Sequence, residues 1–245
     1  MTVATSAAHY EKHLGAVYSW MLGDLDAAFA RGAAEIDALA LTLARGVAVD
    51  LGAGLGLHAL ALAKRGFKVV AIDSCAMLLD ELRSRVGSAA AIAVHHADLL
   101  DFGRFVSGEV QVIVCMGDTL THLPTLSAVD SLLTAAAGAL PRAAVFAATF
   151  RDYASSKLEG DQRFILVRAA ETRILTCFLE YQERQVIVHD LLHEKEDGRW
   201  RQTISSYPKL RLAPAWVMVK LSALGFSVKR DTVPGGMVRI VATKT

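Results

Sequence analysis

The middle of the chain alternates between apolar runs of strand length and longer segments in which apolar side chains recur at helical spacing. Helical spacing is seen at Met77–Val86 and 124–140. Strands that alternate with helices predict βαβ units, and therefore a parallel, doubly wound, Rossmann-like α/β sheet. The predicted strands are 47–51, 67–73, 91–96, 110–116 and 143–150.

Two helices are predicted before the first strand. The first has the amphipathic spacing of Leu14, Val17, Tyr18, Met21 and Leu22. Gly23 ends it, Asp24 can cap the next helix, and the apolar stripe of that helix runs from Phe29 to Leu43. His9 and His13 lie four residues apart, which suits a metal pair, but no third ligand lies near them in sequence. We therefore expect a solvated helix face and no metal site.

The pattern changes after the fifth strand. Three β-rich runs follow, at 164–181, 185–195 and 199–207, and Glu196-Asp197-Gly198 is a hairpin turn between the last two. They predict an antiparallel β-ribbon inserted into the fold. The chain then closes with a helix at 214–224 and strands at 226–230 and 237–242.

Neither an internal repeat nor a low-complexity linker divides the sequence, so we expect one domain, 1–245. Its predicted parts are an N-terminal helical lid (1–45), a ligand-binding core (46–150), the inserted ribbon (161–207) and the end of the core sheet (208–245).

The segment Val47–Arg65 has the pattern of a buried strand, a glycine turn and an apolar helix. Glycines at 52, 54 and 56 remove side chains from the turn, so a ligand can lie against the backbone at a helix N-terminus. A dinucleotide site would have its third glycine where Leu57 stands. Asp50 suits an ammonium group better than a pyrophosphate, which favours S-adenosylmethionine. A dinucleotide, or a turn that only packs, remains an alternative.

Four carboxylates lie at or near the ends of the predicted strands: Asp50, Asp73, Asp98 and Asp118. Ligands of doubly wound sheets bind at the carboxyl ends of the strands, so this edge is the predicted active site. Asp73 stands 21 residues after Gly52, a suitable offset for accepting hydrogen bonds from both ribose hydroxyls.

Composition narrows the class of protein. The 245 residues are 53% hydrophobic and 21% charged with a net charge of +1, so no strong overall field attracts nucleic acid or an anionic membrane. Cys75, Cys115 and Cys177 lie in apolar segments, as reduced core cysteines do. The N-terminus has no signal-peptide pattern and no apolar run reaches membrane-spanning length. We expect a cytoplasmic protein, which could form a homodimer.

The stretch VDLGAGLGLHALALAKRGFKVVAID, residues 49–73, resembles motif I and the following acidic strand of class I S-adenosylmethionine-dependent methyltransferases. The similarity extends over essentially the whole chain and implies a seven-stranded sheet with an antiparallel last strand. Tyr18 and Trp20 are candidates to cover the site, although Tyr18 also fits a core position. The implied cofactor-binding residues are Asp50, Gly52, Ala53, Gly54, Asp73, Ser74, Ala97, Asp98, Leu99, Cys115 and Met116.

Shorter stretches are similar to glycine N-methyltransferases: 17–24, 115–124, 150–153 and 205–210. The resemblance implies that Arg151 binds a substrate carboxylate, for which a guanidinium is well shaped, and that Tyr207 contacts the substrate. A surface salt bridge is the alternative for Arg151. Asp118 stands where those enzymes have Asn.

We therefore expect methyl transfer to a small molecule, foremost to the amine of a carboxylate-bearing metabolite. Transfer to a hydroxyl, with His122 or Asp118 as the catalytic base, is the first alternative. His122 could equally be a loop histidine without a catalytic duty. A protein that binds the cofactor and methylates nothing is the second alternative. Nucleic acid is not expected as the substrate, because the chain lacks a basic stripe with aromatic residues.

Overall fold

The computed structural model describes residues 3–42, 45–86, 91–155 and 157–245. The strands are β1 (Val47–Leu51), β2 (Lys68–Asp73), β3 (Ile92–His96), β4 (Val110–Cys115), β5 (Val145–Phe150), β6 (Phe164–Ala169), β7 (Arg173–Tyr181), β8 (Gln185–Glu196), β9 (Arg199–Leu210), β10 (Phe226–Thr232) and β11 (Val238–Lys244). Seven of them form one mixed sheet in the order β10-β11-β5-β4-β1-β2-β3, and four form a second sheet in the order β6-β7-β8-β9.

The first five strands run parallel, and β11 pairs antiparallel with both β5 and β10. The expected doubly wound sheet with an antiparallel last strand is therefore confirmed. The helices are α1 (Ser6–His9), α2 (Gly15–Leu22), α3 (Leu25–Asp37), α4 (Leu57–Lys64), α5 (Ala76–Val86), α6 (Leu126–Ala139) and α7 (Pro214–Ala223). A π-helical turn, Tyr10–Leu14, joins α1 to α2, and short 3-10 turns lie at Leu99–Arg104, Thr119–His122 and Gly160–Arg163.

Two hydrophobic cores cover the two faces of the large sheet. On one face, α6 and α7 contribute side chains such as Leu132 and Leu221. On the other face, α3, α4 and α5 contribute side chains such as Ile36, Leu62 and Leu82. Apolar strands buried on both faces are what a parallel sheet between two helical layers requires. These layers fix the strand ends at which the site is formed.

The inserted ribbon has four strands where three β-rich runs were predicted. The run 164–181 is interrupted between β6 and β7, where Ala170 N–H bonds the carbonyl of Arg173. The ribbon forms a separate antiparallel sheet beside the seven-stranded one. A change of chain direction within a continuous β-rich run leaves little trace in the hydrophobic pattern.

Two expectations for the N-terminal segment were wrong. The helix that begins after the Asp24 cap ends at Asp37, and Ala40 has a positive φ of 49°, so the helix does not extend along the predicted stripe; Leu43 lies outside the described residues. His9 is fully buried, whereas His13 is exposed as expected. Within the described ranges, no helix has the length and apolar character needed to span a membrane.

Candidate active site

A cavity of about 610 Å³ lies at the carboxyl ends of β1 to β4 and is covered by the N-terminal helix. The surroundings of the cavity have two parts. The glycine-turn half comprises residues 52–58, 73–74 and 96–99. The tyrosine half comprises Tyr10, Tyr18, the loop 116–124 and the end of β9 from Ser205. The predicted site residues on its wall are Tyr18, Gly52, Ala53, Gly54, Asp73, Ser74, Ala97, Asp98, Leu99, Met116 and His122.

The glycine turn follows β1 and needs its glycines for different reasons. Gly52, Gly54 and Gly56 all have positive φ, at 76°, 51° and 93°. A Cβ on Gly52 would lie 2.5 Å from the side chain of Thr119, and one on Gly56 would overlap Leu82. Gly54 has open space in front of it, since its nearest such neighbour is Leu78 at 3.8 Å. The turn therefore packs tightly on two sides and leaves its backbone bare on the cavity side.

Asp73 is held in place by backbone donors at the end of β2. Its Oδ2 accepts the N–H of Gly54 at 2.8 Å, and its Oδ1 accepts the N–H of Cys75 at 2.8 Å. Burial raises the pKa of this carboxyl group. Each oxygen keeps a further lone pair, so a fixed acceptor with two oxygens lies on the cavity wall, as binding a pair of hydroxyls requires.

Asp50 lies behind the turn, at the end of β1, and is 1% exposed. Among the described residues, neither of its carboxylate oxygens has a hydrogen-bond partner. Burial raises the pKa of Asp50 to about 6. A buried carboxylate without a partner is costly, and a ligand that carries a cation would compensate it. Asp50 thus fits the predicted ammonium contact, although it lies behind the wall and does not line the cavity.

The far end of the glycine-turn half is formed by the ends of β2 and β3. His96 Nε2 donates to the carbonyl of Ser74 at 3.0 Å and ties the two strand ends together. The Asp98 side chain accepts the N–H of Leu100 at 2.9 Å and caps the 3-10 turn that follows. These bonds fix the backbone of Ala97 and Leu99 on the wall.

Asp118 lies in the tyrosine half but is fully engaged. It adopts a positive φ of 78°, and its Oδ1 accepts hydrogen bonds from the Arg151 backbone N–H at 2.9 Å and the Thr121 hydroxyl at 3.1 Å. Its Oδ2 pairs with Lys209 Nζ at 2.5 Å. Burial disfavours the anion, but Lys209, His122 and these hydrogen bonds outweigh it and lower the pKa of Asp118. A carboxylate so placed shapes the loop and is a poor proton acceptor.

His122 lies on the cavity wall, and its Nε2 is buried without a partner among the described residues. Burial, followed by the repulsion of Lys209, lowers the pKa of His122 to about 3. The imidazole is therefore neutral at physiological pH. Its unpartnered nitrogen can give or accept one hydrogen bond, but the imidazole is a weak base.

Tyrosine side chains surround His122. The ring of Tyr10 lies 5.4 Å from the His122 ring, and that of Tyr207 lies 5.8 Å from it. Tyr10 and Tyr18 line the cavity, whereas Tyr207 is buried behind them. Burial, with the nearby Asp73, raises the pKa of Tyr18 to about 12, and burial raises that of Tyr10 as well. Their hydroxyls stay protonated and able to donate.

Six predicted site residues do not line the cavity: Asp50, Asp118 and Tyr207 are buried beside it, and Trp20, Cys115 and Arg151 contact other parts of the protein. Trp20 packs against the ribbon, where Arg168 lies over its ring at 5.3 Å and donates to its carbonyl at 2.6 Å. Cys115 is fully buried in the sheet core. The exposed guanidinium of Arg151 donates to the carbonyl of Gly235 at 3.2 Å. Direct contact of Trp20 or Cys115 with a ligand is therefore not supported, because strand and helix geometry turn them to other neighbours.

Sequence reasoning also missed residues of the site. His58 lies on the cavity wall with its Nε2 2.6 Å from Glu35 Oε2, and its position inside the quoted glycine motif could have drawn attention to it. Tyr10 faces the cavity because of the π-helical turn, for which the hydrophobic spacing gives no signal. Lys209 was part of a quoted stretch, but its buried partner Asp118 is 91 residues away. No cluster of metal-ligating side chains is present within the described residues.

Comparisons with known proteins agree with this geometry. Residues 48–141 match the family model of a methyltransferase domain. A segment of 84 residues is 34% identical to the glycine/sarcosine/dimethylglycine N-methyltransferase of Actinopolyspora halophila, and covers 33% of this chain but only 15% of that protein.

Solved structures resemble the chain over nearly its whole length. DesVI of Streptomyces venezuelae superposes with a TM-score of 0.75 at 17% identity, over 96% of this chain and 100% of that one. The S-adenosylmethionine-bound amino pentose methyltransferase CalS10 of Micromonospora echinaspora superposes with a TM-score of 0.73 at 19% identity, over 95% and 97%. Identities this low establish a common fold and no more. Residues 48–141 thus match a methyltransferase domain family, and the chain as a whole has the fold of these solved methyltransferases.

Proposed function

We propose that the chain transfers a methyl group from S-adenosylmethionine to the amine of a small molecule. The choice of an amine rests on the protonation of the tyrosine half. Among the described residues, this half offers neutral hydrogen-bonding groups and no strong base. His122 has a pKa lowered to about 3 by burial and by Lys209, and Asp118 is committed to Lys209.

The glycine-turn half supports S-adenosylmethionine as the cofactor, in agreement with the family match. Asp73 would hold the ribose hydroxyls, and the charge of the unpartnered Asp50, behind the glycine turn, would stabilise the ammonium group. The bare backbone at Gly54 would lie against the cofactor, with Ala97 and Leu99 beside the adenine. Each of these roles extends a feature already present: fixed acceptors, a buried anion and an open glycine.

Bound S-adenosylmethionine supplies a methyl group already activated by its sulfonium. The chain's own residues then have to align the acceptor and exclude water, and alignment alone can lower a barrier by about 7–11 kcal/mol. His122 Nε2 would hold one hydrogen of a deprotonated amine, because a neutral imidazole can accept a hydrogen bond. Tyr10 and Tyr18 would close the cavity with protonated hydroxyls.

The two other candidates receive less support from the site. A hydroxyl acceptor must lose its proton close to the moment of transfer, which calls for a base stronger than His122 or the paired Asp118. A protein that binds the cofactor without methylating anything would not need an unpartnered His122 Nε2 beside the cofactor. Methylation of an amine needs no strong base and gives the unpartnered His122 Nε2 a role.

The narrower proposal, an amine that also carries a carboxylate, depends on Arg151. Its guanidinium is exposed and makes one bond to a neutral carbonyl. A carboxylate accepts two parallel bonds from the guanidinium and also carries the opposite charge, so it could draw the side chain away from Gly235. Lys209 is not available in this way, because leaving Asp118 unpaired and buried costs about 3–5 kcal/mol.

The test is methyl transfer from isotopically labelled S-adenosylmethionine to a panel of glycine, sarcosine, amino sugars and catechol. We expect labelled N-methyl product from at least one amine and none from catechol. Calorimetry with S-adenosylhomocysteine provides the second arm: the parent binds it, and Asp73→Ala abolishes measurable binding. Binding without transfer to any amine, including those of a metabolite extract, would support the non-catalytic alternative. O-methylated product would support the hydroxyl acceptor.

A further inference from the structure

His9, which the sequence pattern placed on a solvated face, lies at the centre of a buried polar network. It is 0% exposed, and both of its ring nitrogens are engaged. Nδ1 lies 2.5 Å from the Ser205 hydroxyl, and Nε2 lies 2.9 Å from Asp190 Oδ2. These partners stand 196 and 181 residues away in the sequence, so the first helix is bonded directly to the inserted ribbon.

In the inserted ribbon, the side chains of this network form one row across three neighbouring strands. Cys177 on β7 pairs in register with Asp190 on β8, which pairs in register with Ser205 on β9. Cys177 Sγ donates to Asp190 Oδ1 at 2.8 Å. Both carboxylate oxygens of Asp190 are therefore satisfied, one by the ribbon and the other by His9.

The same helix forms part of the cavity wall. Thr5, Ser6, Ala7 and Tyr10 all line the cavity, and the His9 ring stacks on Tyr207 with the ring centres 4.0 Å apart. Two weaker ties run alongside: Ala4 N–H donates to the carbonyl of Ser206 at 3.0 Å, and the Ser6 hydroxyl donates to that of Pro208 at 3.2 Å.

A π-helical turn follows directly after His9. The N–H of Gly15 bonds the carbonyl of Tyr10, and a Cβ on Gly15 would lie 2.7 Å from that carbonyl oxygen. Such turns insert one extra residue and re-orient the side chains next to them. The direction of Tyr10 is thus set by the turn on one side and by the anchored His9 on the other.

The combination of Ser205, His9 and Asp190 has the composition of a hydrolase triad, but it does not have the access. All three residues are buried, and they lie behind the cavity wall. A nucleophile must meet its substrate, so a positioning role fits these residues better than a covalent one.

We propose that His9 and the row Cys177–Asp190–Ser205 act as a latch that holds residues 5–10 over the cavity. The inference rests on the proposed function, since it gives the latch the task of positioning Tyr10 and excluding water during methyl transfer. His9 is a positioning residue and acts through Tyr10 and Tyr207. Opening the latch frees the helix from the ribbon, and this step limits how fast ligands leave the glycine-turn half.

The test uses the full chain and S-adenosylhomocysteine. His9→Phe keeps an aromatic ring on Tyr207 but removes both polar contacts. We expect amide hydrogen exchange within 4–14 to become at least tenfold faster in the ligand-free variant, with exchange in β1 and β4 unchanged. Stopped-flow dissociation of S-adenosylhomocysteine should also become at least tenfold faster. His13→Gln, on the exposed side of the same segment, is the matched control and should change neither rate.

Ser205→Ala and Asp190→Asn keep the test decisive if His9→Phe fails to fold, since each alters one contact of the network. We expect both to accelerate the same two rates by about threefold or more. If all folded variants lose thermal stability but keep the parent dissociation rate, the network is merely structural and the proposal is overturned. Unchanged exchange within 4–14 would overturn it as well. A parent chain that does not bind S-adenosylhomocysteine would instead contradict the proposed function, and the exchange measurement would still decide on the latch.

Discussion

The two halves of the cavity are built on different principles. In the glycine-turn half, the key contact joins Gly54 and Asp73, 19 residues apart, and its groups come from consecutive strand ends. In the tyrosine half, Asp118 meets Lys209 across 91 residues, and His9 meets Ser205 across 196. The contacts of the glycine-turn half join residues close in sequence, and its backbone is open to the cavity. The tyrosine half is held together by buried polar contacts between distant segments, and should therefore be more sensitive to the loss of a single charge.

The largest effect is expected for Lys209→Met. It leaves Asp118 buried without its cation, which costs about 3–5 kcal/mol in the free energy of unfolding. Lys220→Met is the matched control, because its pair with Asp130 is exposed, and its loss should cost no more than about 1 kcal/mol. Urea unfolding measures both. The double variant Asp118→Asn/Lys209→Met should recover part of the loss, since no unpaired charge remains. Equal losses for Lys209→Met and Lys220→Met would show that the buried pair has no special weight.

The opposite case, a buried carboxylate without a partner among the described residues, is Asp50, directly behind the glycine-turn half. The folded-state pKa of Asp50, about 6, lies above its ordinary value of 3.8, so the folded state binds the proton more tightly than the unfolded state. The stability linked to that proton is present below about pH 4 and is lost as the pH rises through about 6. The shift corresponds to at most about 3 kcal/mol.

Asp50→Asn should therefore make the ligand-free chain more stable than the parent by about 1–3 kcal/mol at pH 7, and the gain should vanish near pH 4. Thermal or urea unfolding from pH 4 to 8 tests the sign. The same variant should bind S-adenosylhomocysteine more weakly. A variant that is less stable at pH 7, or that binds as tightly as the parent, would show that Asp50 is not kept for a cationic ligand.

Much of the glycine-turn half could be predicted from the sequence, because each of its features has a local cause. The glycine turn follows an apolar run of strand length, and Asp73 ends the next such run. This pattern is enough to place the turn and the acid at one edge of a parallel sheet. The antiparallel last strand was implied by a family resemblance and is present as β11.

The tyrosine half could be predicted only in part. The loop 116–124 was identified, but the partner that neutralises Asp118 was not, since pairing across 91 residues leaves no periodic signal. His9 was assigned to a solvated helix face because no third metal ligand lies near it in sequence, whereas its burial comes from strands near the other end of the chain. Arg151 was placed correctly at the strand end, but the direction of its exposed side chain depends on Gly235, 84 residues away.

Gly52→Ala tests whether the glycine-turn half depends on the tyrosine half. A positive φ costs a non-glycine residue about 1–2 kcal/mol, and the new Cβ would also press on Thr119, whose hydroxyl is anchored to the carbonyl of Met116 at 2.8 Å. We expect the affinity for S-adenosylhomocysteine, measured by calorimetry, to fall about hundredfold. Gly198 has a similar φ of 78°, and a Cβ there would have no described neighbour within 4 Å. Gly198→Ala is therefore the control for the free energy cost of the positive φ alone. Should Gly52→Ala bind like the parent, the close contact between the two halves would be unimportant.

Arg151→Ala is expected to have the smallest effect, and it distinguishes binding of the methyl acceptor from binding of the cofactor. Its guanidinium contacts one carbonyl at the surface, so the variant should unfold within about 0.5 kcal/mol of the parent and bind S-adenosylhomocysteine equally well. If a carboxylate draws the guanidinium inwards, the KM for glycine or sarcosine should rise about tenfold, which corresponds to about 1.4 kcal/mol. The KM for an amine without a carboxylate should stay unchanged. A rise in KM for both kinds of amine would point to a distorted loop, because Arg151 also bonds Asp118 through its backbone. Arg151→Lys distinguishes these outcomes, since a single ammonium retains the charge but lacks the planar fork that binds a carboxylate with two parallel bonds.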